Sequence, residues 1–508
     1  MNEPAAWIEN NERHLGTMLA WLCLSLEATS QAGERDSPAD QANLARLRQE
    51  MLELEQLARP PALTLLSRAL GLSEFECRVL ALCAAMELDT RIPNLCAAAQ
   101  RDDARPYPSF ALAFALWPDA QWNAVSPHGA LRYWRLLEIS QPNALPLTAA
   151  ALALDERILN YLKGVNYLDD RLTPLLDPVA PGADGANLTR SQQQAVERIV
   201  SGLGQCNQAG PTPVVELSGH DGASMRLVAS SAAAALGLNL QVLHVSMLPA
   251  GNGDQETFAR LWQRESLLMP LALYVETAGA TEVERSRLAR FLRRSNGVVF
   301  IEGSSGDIGN ARGRITLPIG KPVPAEQAQL WASALPDGQA ELAQLLSEQF
   351  SFNAEEITRL VTAAEIMDDA GGRESALWQA CRGQSRTGLN QLAQRIDARA
   401  RWDELVLPPE QKSLLRAITD QVGQRSRVYR DWGFGQRLNR GLGINALFSG
   451  ESGTGKSMAA EVIANELELD LYRIDLSAVV NKYIGETEKN LRKLFDAAEE
   501  SGAILFFD

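Results

Sequence analysis

Residues 450–457 read Gly450-Glu451-Ser452-Gly453-Thr454-Gly455-Lys456-Ser457, the spacing G-x-x-x-x-G-K-[ST]. Each position has a physical task in holding phosphate. The glycines allow a tight turn whose successive N–H groups point inward at phosphate oxygens. Lys456 places a positive charge near the β and γ phosphates, and the Ser457 hydroxyl can ligate Mg²⁺. The flanks suit the same task. Ile444-Asn445-Ala446-Leu447-Phe448 is a short apolar run expected to form a buried strand. Residues 458–467, opening with Met458, are rich in Ala, Glu and Leu and are expected to form a helix. Strand, loop and helix in this order aim a helix N-terminus at an anion, so binding of a nucleoside triphosphate by residues 450–458 is expected.

A second, broken copy of the pattern lies upstream. Pro213-Val214-Val215-Glu216-Leu217-Ser218 reads as a strand, followed by Gly219-His220-Asp221-Gly222-Ala223-Ser224-Met225-Arg226 and an Ala-rich helical run. Gly219 and Gly222 match Gly450 and Gly453, but Met225 stands at the Lys position and Arg226 at the hydroxyl position. The downstream spacing agrees. Ala503-Ile504-Leu505-Phe506-Phe507 ends in Asp508, 58 residues after Gly450, and Leu271-Ala272-Leu273-Tyr274-Val275 ends in Glu276, 57 residues after Gly219. A further strand recurs, at residues 240–245 and 471–475. The first copy continues with the apolar strand Val298-Val299-Phe300-Ile301 and with helical segments at residues 325–335 and 354–364, as a small helical lid would. Without the Lys and the hydroxyl, this copy is expected to bind Mg-ATP poorly or not at all and to serve structurally.

Composition sets the outer bounds. A chain of 508 residues is too long for one core, so about three domains are expected. The formal net charge of −15 argues against holding nucleic acid by an overall field. The six cysteines (Cys23, Cys77, Cys83, Cys96, Cys206 and Cys381) show no C-x-x-C pair and no paired His, so neither a metal site nor a disulfide framework is expected. No stretch approaches the roughly 18 apolar residues of a membrane helix, and no leader pattern opens the chain; a cytoplasmic protein without membrane contact is expected.

Residues 395–508 resemble the AAA branch of the AAA+ ATPases. The resemblance rests on residues 450–457, on Asn481-Lys482-Tyr483-Ile484-Gly485-Glu486-Thr487-Glu488-Lys489-Asn490-Leu491, and on Ile504-Leu505-Phe506-Phe507-Asp508. It implies ATP and Mg²⁺ as ligands, with Lys456 and Asp508 in the catalytic machinery and Ser457 and Asp508 on the metal. It also implies that Lys482, Tyr483, Ile484 and Gly485 form a loop facing the pore of a homo-oligomeric ring, a hexamer, where Tyr483 grips a polypeptide substrate; a half-buried aromatic at a helix entry is the plain alternative. Residues 487–500 should be a helix packing Leu491, Leu494, Phe495 and Ala498 on the sheet. Tyr429 and Gly433 stand where the family often contacts adenine, with linker packing as the alternative. The family pattern continues past Asp508 with a water-activating Glu, so the chain is expected to be a fragment of a longer ATPase or else a truncated product, which would be a non-hydrolysing ATP-binding scaffold. Phosphoryl transfer needs charge stabilisation and water positioning beyond Lys456 and Mg²⁺.

These sites need elements to position them. The fold class expected is α/β: a helical, winged-helix-like N-terminal domain at 1–175, a degenerate AAA+ parallel-sheet module with a helical lid at 186–375, and the first part of a second such module at 395–508. Residues 175–185 form a Pro/Gly linker, and a second boundary is placed near 371–383, before a helical run ending at Trp402. Within the N-terminal domain, residues 62–70, the turn Gly71-Leu72 and residues 73–86 read as helix, turn, helix, with Ser73 as N-cap and Glu76 completing a capping box. Either a DNA-reading unit or a helical adaptor fits. The second helix offers few groups for phosphates or base edges, which favours the adaptor and a protein substrate or partner over nucleic acid.

Overall fold

The computed structural model describes residues 3–30, 38–142, 145–179, 188–206, 212–303, 313–336, 338–366, 372–389, 393–424, 428, 432, 443–451, 453–474, 491, 494–495, 497–498 and 501–507. The fold is α/β. Its N-terminal region is helical, opening with helices Glu3–Ser30, Pro38–Glu55, Ala62–Leu70 and Glu74–Leu88, and it closes with an antiparallel hairpin of β1 (Leu137–Ser140) and β2 (Ala151–Leu154), Leu137 opposite Leu154. Leu22, Leu66, Val79, Leu80, Phe110 and Leu131 form the centre of one core. The capping box is present: Ser73 Oγ accepts from Glu76 N at 3.2 Å, and Glu76 accepts from Ser73 N at 2.9 Å. Gly71 takes the left-handed conformation, φ 68°, that ends the preceding helix. Helix Glu74–Leu88 buries Phe75, Val79 and Leu80 along with Ala81, Leu82, Cys83, Ala84 and Ala85, so its middle is covered on nearly every side. Its one basic residue, Arg78, is engaged by Glu74 at 2.6 Å and Asp119 at 2.9 Å.

A six-stranded sheet follows, built from β3 (Asp177–Pro178), β4 (Val214–Ser218), β5 (Asn239–His244), β6 (Leu271–Glu276), β7 (Val298–Glu302) and β8 (Arg314–Pro318) in the order β3-β5-β6-β7-β4-β8. Five strands are parallel, and β3 lies antiparallel on the edge against β5. Leu271 to Val275 are all buried, the near-continuous apolar reading of a parallel strand covered on both faces. The stretch read as a plain linker at 175–185 therefore begins with a strand; Pro178 is tolerated because edge strands leave one side unpaired.

Helices Pro324–Ala334, Ala340–Gln349, Ala354–Ile366 and Arg373–Leu389 form a bundle around Trp331, Leu346, Phe350, Phe352, Ile357 and Leu377. The boundary expected near 371–383 is crossed by the last of these helices. The helical run expected to end at Trp402 is also corrected: β9 (Gln394–Ile396) is a strand, pairing antiparallel with β10 (Leu471–Ile474), which pairs in parallel with β11 (Ile504–Phe507). Asp470, just before β10, accepts from Arg382 at 2.7 Å and from Arg386 at 2.8 and 2.9 Å, both on the last bundle helix. Arg395 on β9 lies 3.8 Å from the same carboxylate.

The apolar run Ile444 to Phe448 forms no strand, and Leu447 is 94% exposed. The six-stranded sheet gives the reason. There β4, the strand before the first loop, is held between β7 and β8, whereas among the described residues the three-stranded sheet β11-β10-β9 contains no partners of that kind. An extended segment without a ladder on either side gains no strand pairing, whatever its side chains. Of residues 487–500, Leu494 and Ala498 are buried with Tyr472 and Ile474 as expected, while Phe495 is 52% exposed.

Candidate nucleotide site

Helix Lys456–Glu466 begins at the last residues of the second loop, with Gly455 as its N-cap at φ 87° and Gly453 at φ 83°. Both backbones are left-handed, which a residue with a Cβ adopts only at a cost; this is why the pattern requires glycine at 455, and Gly453, at a position the pattern leaves open, meets the same need. Thr454 Oγ1 donates to the Glu451 carbonyl at 2.8 Å and fixes the turn. The Lys456 ammonium arches over the loop, donating to the carbonyls of Gly450 at 2.8 Å and Glu451 at 2.7 Å. Ser457 is exposed and Met458 half-buried. The helix is held from behind by Ala459, Val462 and Ile463 packing with Leu405 and Leu415, and by Ala460 and Ala464 against Leu471. Among the described residues no side chain caps the helix start. Uncapped N–H groups, the positive end of the helix dipole and an ammonium converge there, which fits a polyphosphate. Gly450, Glu451, Gly453, Thr454, Gly455, Lys456, Ser457 and Met458 thus lie in one stretch of loop and helix. Ser452, the pore-loop candidates Lys482, Tyr483, Ile484 and Gly485, the metal candidate Asp508, and the adenine candidates Tyr429 and Gly433 lie outside the described residues.

The first loop is built differently, beyond the two substitutions legible in its sequence. Its helix, Gly222–Ala235, starts at the residue matching Gly453, so Ala223 and Ser224, the counterparts of Thr454 and Gly455, are already wound into it. Asp221 caps this helix: its Oδ2 accepts from Ser224 N at 3.1 Å, and its Oδ1 accepts from Asn353 Nδ2 at 3.0 Å. A carboxylate of the chain itself therefore sits where the other loop leaves the helix start to an anion. Asn353 is in turn the N-cap of helix Ala354–Ile366, its Oδ1 accepting from Glu356 N at 2.9 Å. Met225 is 1% exposed, and Arg226 approaches Glu355 at 3.8 Å on the surface. Ser191 adds a further tie to the helical bundle, donating through N and Oγ to Glu326 at 2.7 and 2.8 Å. The cap at Asp221 was missed in the sequence, although Asp followed three residues later by Ser at the start of an Ala-rich run is a recognisable N-cap signal.

Among the described residues no group of His, Cys, Asp and Glu could hold a metal ion, and no helix is long and apolar enough to cross a membrane. Cys23, Cys83, Cys96 and Cys381 are buried and unpaired; burial pushes the Cys96 and Cys381 thiols up to about 12, which leaves them inert.

Three segments match family models. Residues 25–176 match the variant winged helix domain, residues 323–387 the contractile injection system ATPase helical domain, and residues 446–508 the ATPase family associated with various cellular activities (AAA). An AAA family ATPase of Sinorhizobium fredii, y4kL, is 45% identical over 62 residues, 12% of this chain and 19% of that protein. The peroxisomal ATPase pex6 of Schizosaccharomyces pombe is 33% identical over 108 residues, covering 21% of this chain and 11% of its own length. A 26S proteasome regulatory subunit homolog of Methanothermobacter thermautotrophicus is 28% identical over 107 residues, covering 21% of this chain and 26% of its own length. The chain thus spans about a quarter or less of each of these relatives.

Proposed function

We propose that the intact protein is an AAA+ ATPase that assembles as a ring, a hexamer, and remodels or unfolds protein substrates in the cytoplasm. The AAA match at residues 446–508 supplies the ATPase domain. In this reading domains at 1–175, 186–375 and 395–508 act in series. The observation that carries it is the contrast between the two loops. One presents an uncapped helix start with left-handed glycines and Lys456; the other has its helix start capped by Asp221. ATP would be held by residues 450–458, with Mg²⁺ at Ser457 and Asp508; the bound metal would draw charge from the phosphate oxygens. The 186–375 module serves structurally. Tyr483, flanked by Lys482, Ile484 and Gly485, contacts the polypeptide. The 508-residue chain binds ATP and hydrolyses it inefficiently.

The names of the matches support a protein substrate: a proteasome regulatory subunit homolog among the relatives, and a helical domain described from contractile injection system ATPases. Association with such an injection apparatus is accordingly part of the proposal. The alternative, a nucleic-acid loader using the helix-turn-helix, draws no support from helix Glu74–Leu88, whose middle is buried and whose Arg78 is paired. The test is the ATPase rate of the full-length protein. Stimulation by unfolded polypeptide is expected; stimulation by duplex DNA and not by polypeptide overturns the reading.

A further inference from the structure

One helix of the six-stranded sheet's layer, Asn252–Leu268, belongs to two cores at once. Phe258, Ala259, Leu261 and Trp262 pack in the core of the sheet, while Leu268 is part of the core of the N-terminal region. Residues 1–183, 196–219 and 229–318 accordingly form one compact unit.

Between the two cores lies a set of six charges. Arg264 and Glu265, both fully buried, come from this helix; Asp155, Arg157, Asp169 and Arg171 come from the end of the N-terminal region and the segment after it. Arg264 donates to Asp155 at 3.3 Å, to Asp169, to Glu265 at 3.1 Å and to the Arg135 carbonyl at 3.2 Å. Arg157 donates to Glu265 at 3.1 Å and lies over the rings of Tyr161 and Tyr167. Arg171 closes the set on Asp155 at 2.8 Å and Asp169 at 2.6 Å. Three guanidiniums meet three carboxylates; each side is neutral by itself, but Arg264 finds Asp155 and Asp169, and Glu265 finds Arg157, across the joint. Arg264, Glu265, Asp155, Arg157 and Asp169 are buried, and removing one partner from such a buried set is strongly destabilising. Tyr133 adds a hydrogen bond to Gln263 at 3.1 Å, and Arg135 one to Thr257 at 2.6 Å.

The helix has a counterpart by position. It joins β5 to β6, as residues 475–503 join β10 to β11 and carry the pore-loop candidate Tyr483. Between β5 and this helix the first copy reads Val245-Ser246-Met247-Leu248-Pro249-Ala250-Gly251, without an aromatic.

We propose that the first copy has become the fixed mount of the N-terminal region: helix Asn252–Leu268 is a rigid joint, and the N-terminal region and the six-stranded sheet move as one body through the ATP cycle. The comparison of the two copies rests on the functional reading above; the joint itself does not. The test places spin labels at Trp122→Cys and Val283→Cys, both exposed positions on either side of the joint, in the full chain. The inter-label distance is measured with and without ATP, and ATP binding is measured on the same sample. A single narrow distance, unchanged on ATP binding, is expected; Arg264→Ala should broaden it. A distance that is broad in the unmodified joint, or that shifts by more than about 5 Å when ATP binds, overturns the proposal, as does an Arg264→Ala distribution as narrow as the parent's. Should Arg264→Ala not fold, the unmodified pair still decides. A narrow distance in a sample that binds no ATP would count against the nucleotide site and leave the joint standing.

Discussion

Asp470 is the point where the helical bundle and β10 are tied together, and replacing it with Asn isolates the effect of its charge. The carboxylate is 11% exposed and accepts three hydrogen bonds, at 2.7, 2.8 and 2.9 Å, from Arg382 and Arg386, which are 28% and 31% exposed. A hydrogen bond to a charged group contributes about 1.5–3 kcal/mol when sheltered, and an exposed ion pair about 0–1. For a buried acceptor with part-exposed donors, and an amide that keeps one accepting oxygen, a loss of about 2–3 kcal/mol is expected. Burial raises the Asp470 pKa, but the hydrogen bonds from Arg386 and Arg382 outweigh it and the group is held below the usual Asp range. The sign follows from that depression. The contribution is complete above the unfolded-chain value of about 4 and fades as pH falls through the lower folded value. Several domains make a single melting curve ambiguous, so amide hydrogen exchange in helix Arg373–Leu389 and β10 is the suitable assay. A loss of ~2.5 kcal/mol corresponds to exchange about 60-fold faster in the variant at pH 7. The ratio to the parent should shrink toward one in acid. Exchange within twofold of the parent at pH 7, or an equal ratio at pH 7 and in acid, would refute the assignment.

Four further outcomes are expected. Lys456→Ala should remove nearly all nucleotide binding, measured by titration with a fluorescent ATP analogue, while Met225→Ala should leave it unchanged; tight binding remaining in the Lys456 variant would mean that the first loop is active. Tyr483→Ala should abolish work on a polypeptide substrate with ATP binding intact, read by unfolding of a fluorescent protein substrate; lost binding would contradict the pore-loop role. Ser73→Ala should destabilise the N-terminal region by about 1 kcal/mol, the usual worth of an N-cap, seen as faster amide exchange in helix Glu74–Leu88. Met225→Lys with Arg226→Ser, in a Lys456→Ala background, should restore no ATP binding, because the cap at Asp221 and the helical Ala223 and Ser224 remain; binding comparable to the parent's would refute that account.

What the sequence made legible was local. The strands β4, β5, β6, β7, β10 and β11, the helix after Gly455 and the Ser73–Glu76 capping box all depend on near neighbours in the chain, and apolar runs and cap residues report on those directly. The run Ile444 to Phe448 failed because strand formation needs neighbouring strands, which no window of five residues can register. Asp177–Pro178 was hidden for the converse reason: a Pro-containing stretch with loop composition is recruited to an edge by β5. Arg382 and Asp470 lie 88 residues apart, and Arg157 and Glu265 lie 108 apart. Neither pair carries a local pattern, so their partnership is visible only in the fold. Of the candidate site, residues 450–458 could be read as a unit because they are a continuous piece of chain, and those described lie in one stretch of loop and helix.

The difference between the two loops is larger than the loss of one lysine, and the backbone explains why. A phosphate cradle needs consecutive N–H groups turned inward, which the second loop achieves with left-handed turns at Gly453 and Gly455. In the first loop the residue matching Gly455 is Ser224, whose Cβ makes that turn cost about 1–2 kcal/mol. The chain instead enters the helix three residues earlier and caps it with Asp221. With one carboxylate oxygen accepting from Ser224 N and the other from Asn353, a negative charge already sits at the helix start, which disfavours a phosphate there. The same bond joins the loop to the N-cap of a bundle helix. If the first loop binds no phosphate, as proposed, that property and its tie to the bundle follow from one structural feature, the cap at Asp221, and Met225, 1% exposed at the position matching Lys456, accords with it.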